Sequence, residues 1–229
     1  MPQLLLAVDT SGKNGSLALA RTAPGEMTVL EVVPLAGGAF SAELIPKVAA
    51  LLHKHGHSKD DLDAIAVANG PGSFTGLRVG LAAVKGLAEA LQIPMVAISL
   101  LEAVASSGAT RGRIMAALDA GRGDVYVGDY ELEPQVRARS ERLLSREEFL
   151  AAARSVAATG KAVVTPDPKL AELARGTGIH TVLIEYPDSG VIARLGWEHL
   201  QRGQTVRPED LEANYIRHSD AEIFSKPAR

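Results

Sequence analysis

Residues 69–80 of this chain hold four glycines, Gly70, Gly72, Gly76 and Gly80, directly after the apolar run 64–68, and they begin a long helical pattern. The first backbone N–H groups of a helix have no partner within the helix, and the helix dipole favours an anion near them. The order of strand, glycine loop and helix therefore predicts a phosphate-binding loop. The glycine spacing is too wide for the dinucleotide fingerprint, and no Gly-Lys-Ser/Thr follows, which excludes a Walker loop.

A second candidate for chemistry is the acidic residue at the end of the first predicted strand. Asp9 closes the apolar run 4–8, and Asp119 closes a similar run in the second half of the chain. Carboxylates hold the magnesium of phosphoryl-transfer sites, although an Asp that caps the following turn needs no such chemistry. We favour the capping interpretation and expect at most a vestigial nucleotide or phosphate loop, formed by Asp9, Thr10, Ser11, Gly70, Gly72 and Ser73.

The composition limits what the chain binds. It has 229 residues, of which 46% are hydrophobic, and a net charge of −3. Without a basic surface the chain is not expected to bind nucleic acid directly, and without cysteine it has no thiol nucleophile, disulfide or thiolate metal site. The first residues lack a cationic segment, and no apolar run approaches the roughly 18 residues of a membrane helix. We expect a cytoplasmic location and no membrane association.

The two halves of the chain repeat one order of elements. In each half the sequence pattern predicts three strands, followed by helices that alternate with further strands. This order indicates two mixed α/β lobes related by duplication. This layout resembles the ribonuclease-H-like lobes of the actin, sugar-kinase and Hsp70 superfamily. We place the first lobe at residues 1–105 and a second, reduced lobe with the C-terminal helix and tail at residues 106–229. The predicted strands are 4–8, 16–21, 27–35, 64–68, 95–99, 114–118, 124–130, 136–142, 162–165 and 179–184, and the predicted helices are 41–55, the glycine-loop helix to residue 91, 145–158, 169–175 and 189–202.

Several blocks of sequence resemble the bacterial TsaB (YeaZ) family in order and spacing. They are residues 6–11, 70–78, 117–120, 124–126 and 215–217, and the glycine-loop block is the most specific of them. The resemblance implies a pseudo-enzyme that binds TsaD, and through it TsaE, in the complex that forms threonylcarbamoyladenosine beside the anticodon of tRNA. The chain would then reach tRNA only through that complex.

Two places depart from the family pattern. Phe40, Ser41 and Ala42 stand where the family often has His-Ser-Glu, and Ala213 stands where a proline is usual shortly before Tyr215. These departures leave open what Phe40, Ala42 and Ala213 do.

The resemblance also implies that a metal site has been lost. TsaD carries a His-x-x-x-His pair just after the strand that follows the glycine-loop helix, and the matching positions here are Leu100 and Val104, which do not ligate metals. His53 and His57 are four residues apart, but Gly56 between them is expected to end the helix, so a shared metal site is not expected there. We expect no metal and no catalytic residue. ATP or ADP with magnesium is expected only at a joint interface with TsaD.

The glycine-loop helix carries a smooth stripe at helical spacing, Gly76, Gly80, Ala83 and Leu87. Each interior glycine costs about 1 kcal/mol against Ala, so a close contact is expected. Packing inside the lobe and contact with a partner helix explain the stripe equally well. The resemblance favours the partner, because TsaB proteins pair through these helices, with TsaD or as a homodimer when alone. The expected interface contains Leu44, Lys47, Val48, Leu51, Thr75, Gly76, Leu77, Arg78, Gly80, Leu81 and Ala83. On this hypothesis Gly80→Arg abolishes TsaD binding and leaves the monomer folded.

A second hypothesis is an enzyme of the same superfamily, either an ATP-dependent phosphotransferase or a metallopeptidase-like protein. A kinase needs a second phosphate loop and an adenosine pocket in the second lobe. The glycines available there, Gly160, Gly176, Gly178 and Gly190, form no convincing nucleotide clamp. A non-catalytic scaffold is the better interpretation of the sequence.

Overall fold

The chain divides into two compact units in the computed structural model, which describes residues 3–108, 112–132, 136–157 and 160–216. The first unit contains the described residues of Met1–Ala103 and Tyr186–Ala213, and the second contains those of Val104–Glu185 and Asn214–Arg229. Arg217 of the tail block and residue 158 of a predicted helix lie outside the described residues.

The first unit is built around a five-stranded sheet in the order β3-β2-β1-β4-β5. The end of β1 lies beside the end of β4, because Val8 pairs with Val67 in a parallel register and with Leu17 in an antiparallel one. The central strands are almost wholly buried, as expected of strands that are covered on both faces. The strands are β1 (Gln3–Asp9), β2 (Gly15–Ala23), β3 (Glu26–Leu35), β4 (Ala64–Gly70) and β5 (Met95–Ser99).

Two long helices pack against one face of this sheet, α1 (Phe40–Lys54) and α2 (Phe74–Leu91). Their apolar stripes join the strand side chains in one core, to which α1 contributes Leu44 and α2 contributes Val84. A short helix, α3 (Leu100–Ser107), follows β5 and was not among the predicted helices. Of the helices in the described ranges, none is both long and apolar enough to span a bilayer.

The second unit has its own five-stranded sheet in the order β10-β9-β6-β7-β8. The first three strands of each unit form antiparallel pairs, and the two later strands add in parallel on the other side of the first. The shared topology confirms the predicted α/β fold of two ribonuclease-H-like lobes. The elements are β6 (Arg113–Gly121), β7 (Asp124–Glu131), β8 (Arg137–Ser145), α4 (Arg146–Val156), β9 (Ala162–Thr165), α5 (Pro168–Arg175) and β10 (His180–Leu183).

The last helix, α6 (Ser189–Gln201), packs against the first sheet. Asp188 caps it by accepting from the backbone N–H of Gly190 at 2.8 Å. Its first residue is tied to β2, because the Ser189 hydroxyl donates to the carbonyl oxygen of Ser16 at 2.7 Å and its N–H donates to the Ser16 hydroxyl at 2.9 Å. The helix therefore belongs to the first unit, which corrects its expected place in residues 106–229. The order of elements along a chain does not say which sheet a terminal helix covers.

Candidate functional site

The predicted glycine loop lies directly against the turn that follows β1. The N–H of Ser73 donates to the carbonyl oxygen of Ser11 at 2.6 Å, and the Thr10 hydroxyl donates to the carbonyl oxygen of Gly76 at 2.8 Å. A Cβ added to Gly72 would lie 2.3 Å from the Ser11 oxygen, and one added to Gly76 would lie 2.1 Å from the Thr10 oxygen. Both glycines are therefore required for this close approach.

The backbone donors of the loop are engaged within the protein. Ser73 caps α2, because its hydroxyl accepts from the Gly76 N–H at 3.2 Å and its carbonyl oxygen accepts from the Leu77 N–H at 2.9 Å. Together with the bond from the Ser73 N–H to Ser11, these contacts use donors that a phosphate cradle would present to its ligand. The loop geometry is thus explained without a bound phosphate. Whether a vestigial site persists there stays a prediction.

The carboxylate of Asp9 is buried and acts within the same turn. Its Oδ1 atom accepts hydrogen bonds from the Ser11 N–H at 2.8 Å and from the Ser11 hydroxyl at 2.6 Å. Burial raises the pKa of Asp9 above its ordinary value, and the two bonds from Ser11 oppose that rise. The arrangement is that of an Asp that caps the following turn.

Tyr186 belongs to this cluster, although it was not among the predicted site residues. Tyr186 as a whole is 48% exposed. Its hydroxyl faces the turn after β1, since a Cβ added to Gly12 would lie 3.6 Å from the hydroxyl oxygen. Burial of the hydroxyl and the nearby charge of Asp9 raise the pKa of Tyr186. Tyr186 follows β10 and precedes α6, so no spacing pattern linked it to Asp9.

The inner side of α2 faces the same turn. A Cβ on Gly80 would lie 2.1 Å from the Thr10 hydroxyl oxygen, and Leu77 and Leu81 on this side are buried. The glycine stripe is therefore internal packing. This corrects the expectation that Gly80→Arg leaves the monomer folded, because an arginine side chain has no room there.

Most of the residues expected at a partner interface lie inside the first unit. The buried ones are Leu44, Val48, Leu51, Gly76, Leu77, Gly80 and Leu81. They can support a surface from behind but cannot form it, since their side chains are already covered by this chain.

Four of the expected interface residues reach the surface. Thr75 and Arg78 are exposed, and Lys47 and Ala83 are half-buried. The Arg78 guanidinium lies over the ring of Phe74 at 4.0 Å from its centroid, which is the geometry of a cation–π contact. Lys47 forms an ion pair with Glu43 at 2.8 Å and donates to the carbonyl oxygen of Pro34.

Two exposed stripes on the neighbouring helices α1 and α2 form the outer face of the first unit. The α2 stripe includes Thr75, Arg78, Ala82 and Gly86, and the α1 stripe includes Ala42, Ile45 and Ala49. Ile45 is 51% exposed, a high value for a large apolar side chain. A Cβ added to Gly86 would meet no atom within 4 Å. Gly86 was not among the predicted interface residues, because the stripe through Gly76 and Gly80 lies on another side of the helix.

Comparison with known proteins places this geometry in a family. Residues 32–188 match the family model described as TsaD: tRNA N6-adenosine threonylcarbamoyltransferase. The chain is 38% identical over 128 residues to the Bacillus subtilis tRNA threonylcarbamoyladenosine biosynthesis protein TsaB, and 36% identical over 132 residues to the Escherichia coli protein of that name. The chain therefore belongs to the family that the TsaD model describes, and within that family to the TsaB (YeaZ) group.

The solved structure of YeaZ from Pseudomonas aeruginosa extends the likeness to nearly the whole chain. It superposes with a TM-score of 0.74 at 28% identity, covering 93% of this chain and 99% of that one. The sequence matches to these two TsaB proteins are shorter. They cover 56% of this chain, and the chain spans about half the length of the curated TsaB relatives, 55% for Bacillus subtilis and 54% for Escherichia coli.

The two positions at which the resemblance implied a lost metal pair lie in α3. Leu100 and Val104 are both fully buried. Between them, Oε1 of Glu102 lies at hydrogen-bond distance, 2.9 Å, from Nε2 of His199. Across the described ranges, no three His, Cys, Asp or Glu side chains gather closely enough to hold a metal ion. In this TsaB-family chain α3 thus contributes buried apolar side chains and a carboxylate–imidazole pair.

Proposed function

We propose that this chain is a non-catalytic subunit that binds a TsaD-type transferase through the outer face of α1 and α2. With that partner, and with TsaE, it supports formation of threonylcarbamoyladenosine in tRNA. Membership of the TsaB family supports the pathway, and the names of the Bacillus subtilis and Escherichia coli relatives refer to that modification.

The observation that carries the partner contact is Gly86. A glycine inside a helix costs about 1 kcal/mol relative to alanine, and at Gly76 the close approach of Thr10 explains it. No neighbouring atom in the described chain explains Gly86. Gly86 and Ala82, which lies one turn earlier, leave the outer side of α2 with only small side chains. Small side chains allow a second helix to pack closely.

The chemical side of the proposal rests on α3 and the glycine loop. Leu100 and Val104 supply no metal ligand at the positions where the resemblance to TsaD would place histidines. The backbone N–H groups of Ser73 and Gly76 donate to oxygens of this chain and not to a bound phosphate. We therefore assign catalysis to the partner. The net charge of −3 supports contact with tRNA through the complex rather than by this chain alone.

The same outer face is proposed to pair two copies of the chain when the partner is absent. Ile45 and Ala49 of α1 and Ala82 of α2 offer an exposed apolar surface for such a homodimer. Exposed apolar patches on a folded chain commonly mark interaction sites. Homodimer and heterodimer would then compete for one surface.

The test compares Gly86→Arg with Ala151→Arg, an exposed position on α4 of the second unit. The variants are purified with the TsaD-type protein of the same genome, and complex formation is measured by size-exclusion chromatography with mass detection. We expect the wild type and Ala151→Arg to bind and Gly86→Arg to lose affinity by about 10- to 100-fold, as at an interface hot spot.

The functional readout is the threonylcarbamoyladenosine content of tRNA, measured by mass spectrometry in cells that depend on this chain. Wild type and Ala151→Arg should support the modification, and Gly86→Arg should not. A wild-type chain that neither binds the partner nor supports the modification would overturn the proposal. Binding by Gly86→Arg at wild-type affinity would overturn the assignment of the face.

A further inference from the structure

A cleft of about 470 Å³ opens at the edge of the outer face, between the turn after β1, the loop before α1 and the first turns of both helices. Its volume falls within the roughly 300–1,000 Å³ of ordinary binding pockets. Lys13, Asn14, Ser41, Ser73 and Thr75 supply polar groups to its walls.

The walls of the cleft are held by close backbone contacts. A Cβ on Gly37 would lie 1.7 Å from the carbonyl oxygen of Lys13, so the loop before α1 touches the turn after β1. The same turn touches α2, through the hydrogen bond from the Thr10 hydroxyl to the Gly76 oxygen. A preformed cleft binds without the cost of ordering its walls.

The charge of the cleft has one sign. Of the described residues that line it, none is Asp or Glu, and the exposed residue Lys13 is one of them. Lys13 has no ion-pair partner within the described part of the chain. Arg78 lies on α2 three residues after the lining residue Thr75, and residues at that spacing share a helix face. The cleft is thus locally cationic, although the chain as a whole has a net charge of −3.

The cleft is continuous with the outer face. Thr75 belongs both to the cleft and to the exposed α2 stripe, and Ser41 of the cleft precedes Ala42 of the α1 stripe. The cleft is open to solvent rather than enclosed. An open polar cleft beside a surface of small apolar side chains can receive a protruding segment of a partner protein, when that partner packs across both helices.

We propose that this cleft receives an acidic segment of the partner that binds the outer face. The inference rests on the proposed function and names the partner chemistry that the surface selects. A carboxylate of that segment pairs with Lys13, and the hydroxyls of Ser41 and Thr75 donate to its oxygens. Charges at the rim of an interface act mainly on the association rate and its salt dependence.

The experiment measures association of the TsaD-type partner with wild type, Lys13→Gln and Lys13→Glu by stopped-flow fluorescence between low and physiological salt. We expect Lys13→Glu to lower the association rate constant at low salt by about tenfold, and Lys13→Gln to lower it less. Both variants should weaken the dependence of the rate on salt. The control is Lys59→Glu, which changes an exposed lysine on the 3₁₀ turn after α1.

The outcomes separate this inference from the proposed function. Wild-type binding with equal rates and salt slopes for the wild type and both Lys13 variants overturns the acidic segment and leaves the function standing. An equal slowing by Lys59→Glu also overturns it, because the effect would then be one of net charge. A wild type that binds no partner overturns both. Thermal unfolding of the variants checks that this exposed substitution leaves the fold unchanged.

Discussion

The two sides of α2 carry the same residue type for opposite reasons. On the inner side Gly76 and Gly80 leave room for Thr10, whose backbone oxygen and hydroxyl would each lie 2.1 Å from an added Cβ. On the outer side Gly86 faces open space. A glycine in a helix therefore indicates close packing only when it is known which side of the helix faces the core. That side is set by the tertiary fold.

The inner side joins the helix to the end of β1. Thr10 donates to Gly76 and contacts Gly80, and Ser11 accepts from Ser73, so two turns of α2 and its cap are fixed by one strand end. This contact uses the donors and the small residues that made the loop resemble a phosphate site. On the outer side a Cβ added to Gly86 would meet no atom within 4 Å, and this is the position where we propose that a partner helix packs.

The largest effect is expected from Gly80→Arg. The new side chain must enter the space of the buried Thr10, and overpacking of this kind costs about 1–3 kcal/mol or more. We expect loss of more than about 3 kcal/mol of the free energy of unfolding, measured by urea denaturation of the purified monomer.

The matched control for this prediction is Ala82→Arg, which places the same side chain on the exposed side of the same helix. Its free energy of unfolding should stay within about 0.5 kcal/mol of the wild type. If Gly80→Arg unfolds at the wild-type urea concentration, the inner side is not packed as described.

Much of the fold was accessible from the sequence, and the reasons are local. Alternating elements and a repeated strand that ends in Asp predicted two similar lobes, and the helix predicted from Ser145 has Ser145 as its N-cap, in a capping box with Glu148. What could not be predicted depends on contacts distant in sequence. Gly80 meets Thr10 across 70 positions, and Ser189 meets Ser16 across 173.

The site was predicted less well than the fold for the same reason. A helical wheel places Gly76, Gly80 and Leu87 near one another, but it does not say whether that side faces the sheet or the solvent. Tyr186 comes to Asp9 because α6 returns to the first sheet, which no pattern near either residue signals.

A second prediction concerns the carboxylate beneath the inner side. Burial raises the pKa of Asp9 in the folded chain, so the folded state binds more protons than the unfolded state above pH ~3.8. The contribution of Asp9 to the free energy of unfolding should therefore fall as the pH rises from about 4 through the raised pKa. Asp9→Asn removes this ionisation and keeps an oxygen that accepts from Ser11.

The measurement is the free energy of unfolding of the wild type and Asp9→Asn by urea denaturation at pH 4, 5, 6 and 7. We expect the variant to gain stability relative to the wild type as the pH rises. A difference that is constant across the series, or one that shrinks toward pH 7, would show that the Asp9 carboxylate is not desolvated in the way its burial implies.

The smallest effect is expected from Gly86→Ala, and it tests the outer side most directly. Alanine in place of an exposed helical glycine should raise the free energy of unfolding by about 0.5–1 kcal/mol, because the added methyl meets no atom of the chain. Ala82→Gly, on the same stripe, should lower it by a similar amount. If a partner helix packs against Gly86, the stabilised variant should bind the partner more weakly despite its firmer helix. A more stable Gly86→Ala chain with undiminished affinity would mean that the partner leaves room for a methyl group there, and close helix packing would then have to lie elsewhere on the outer face.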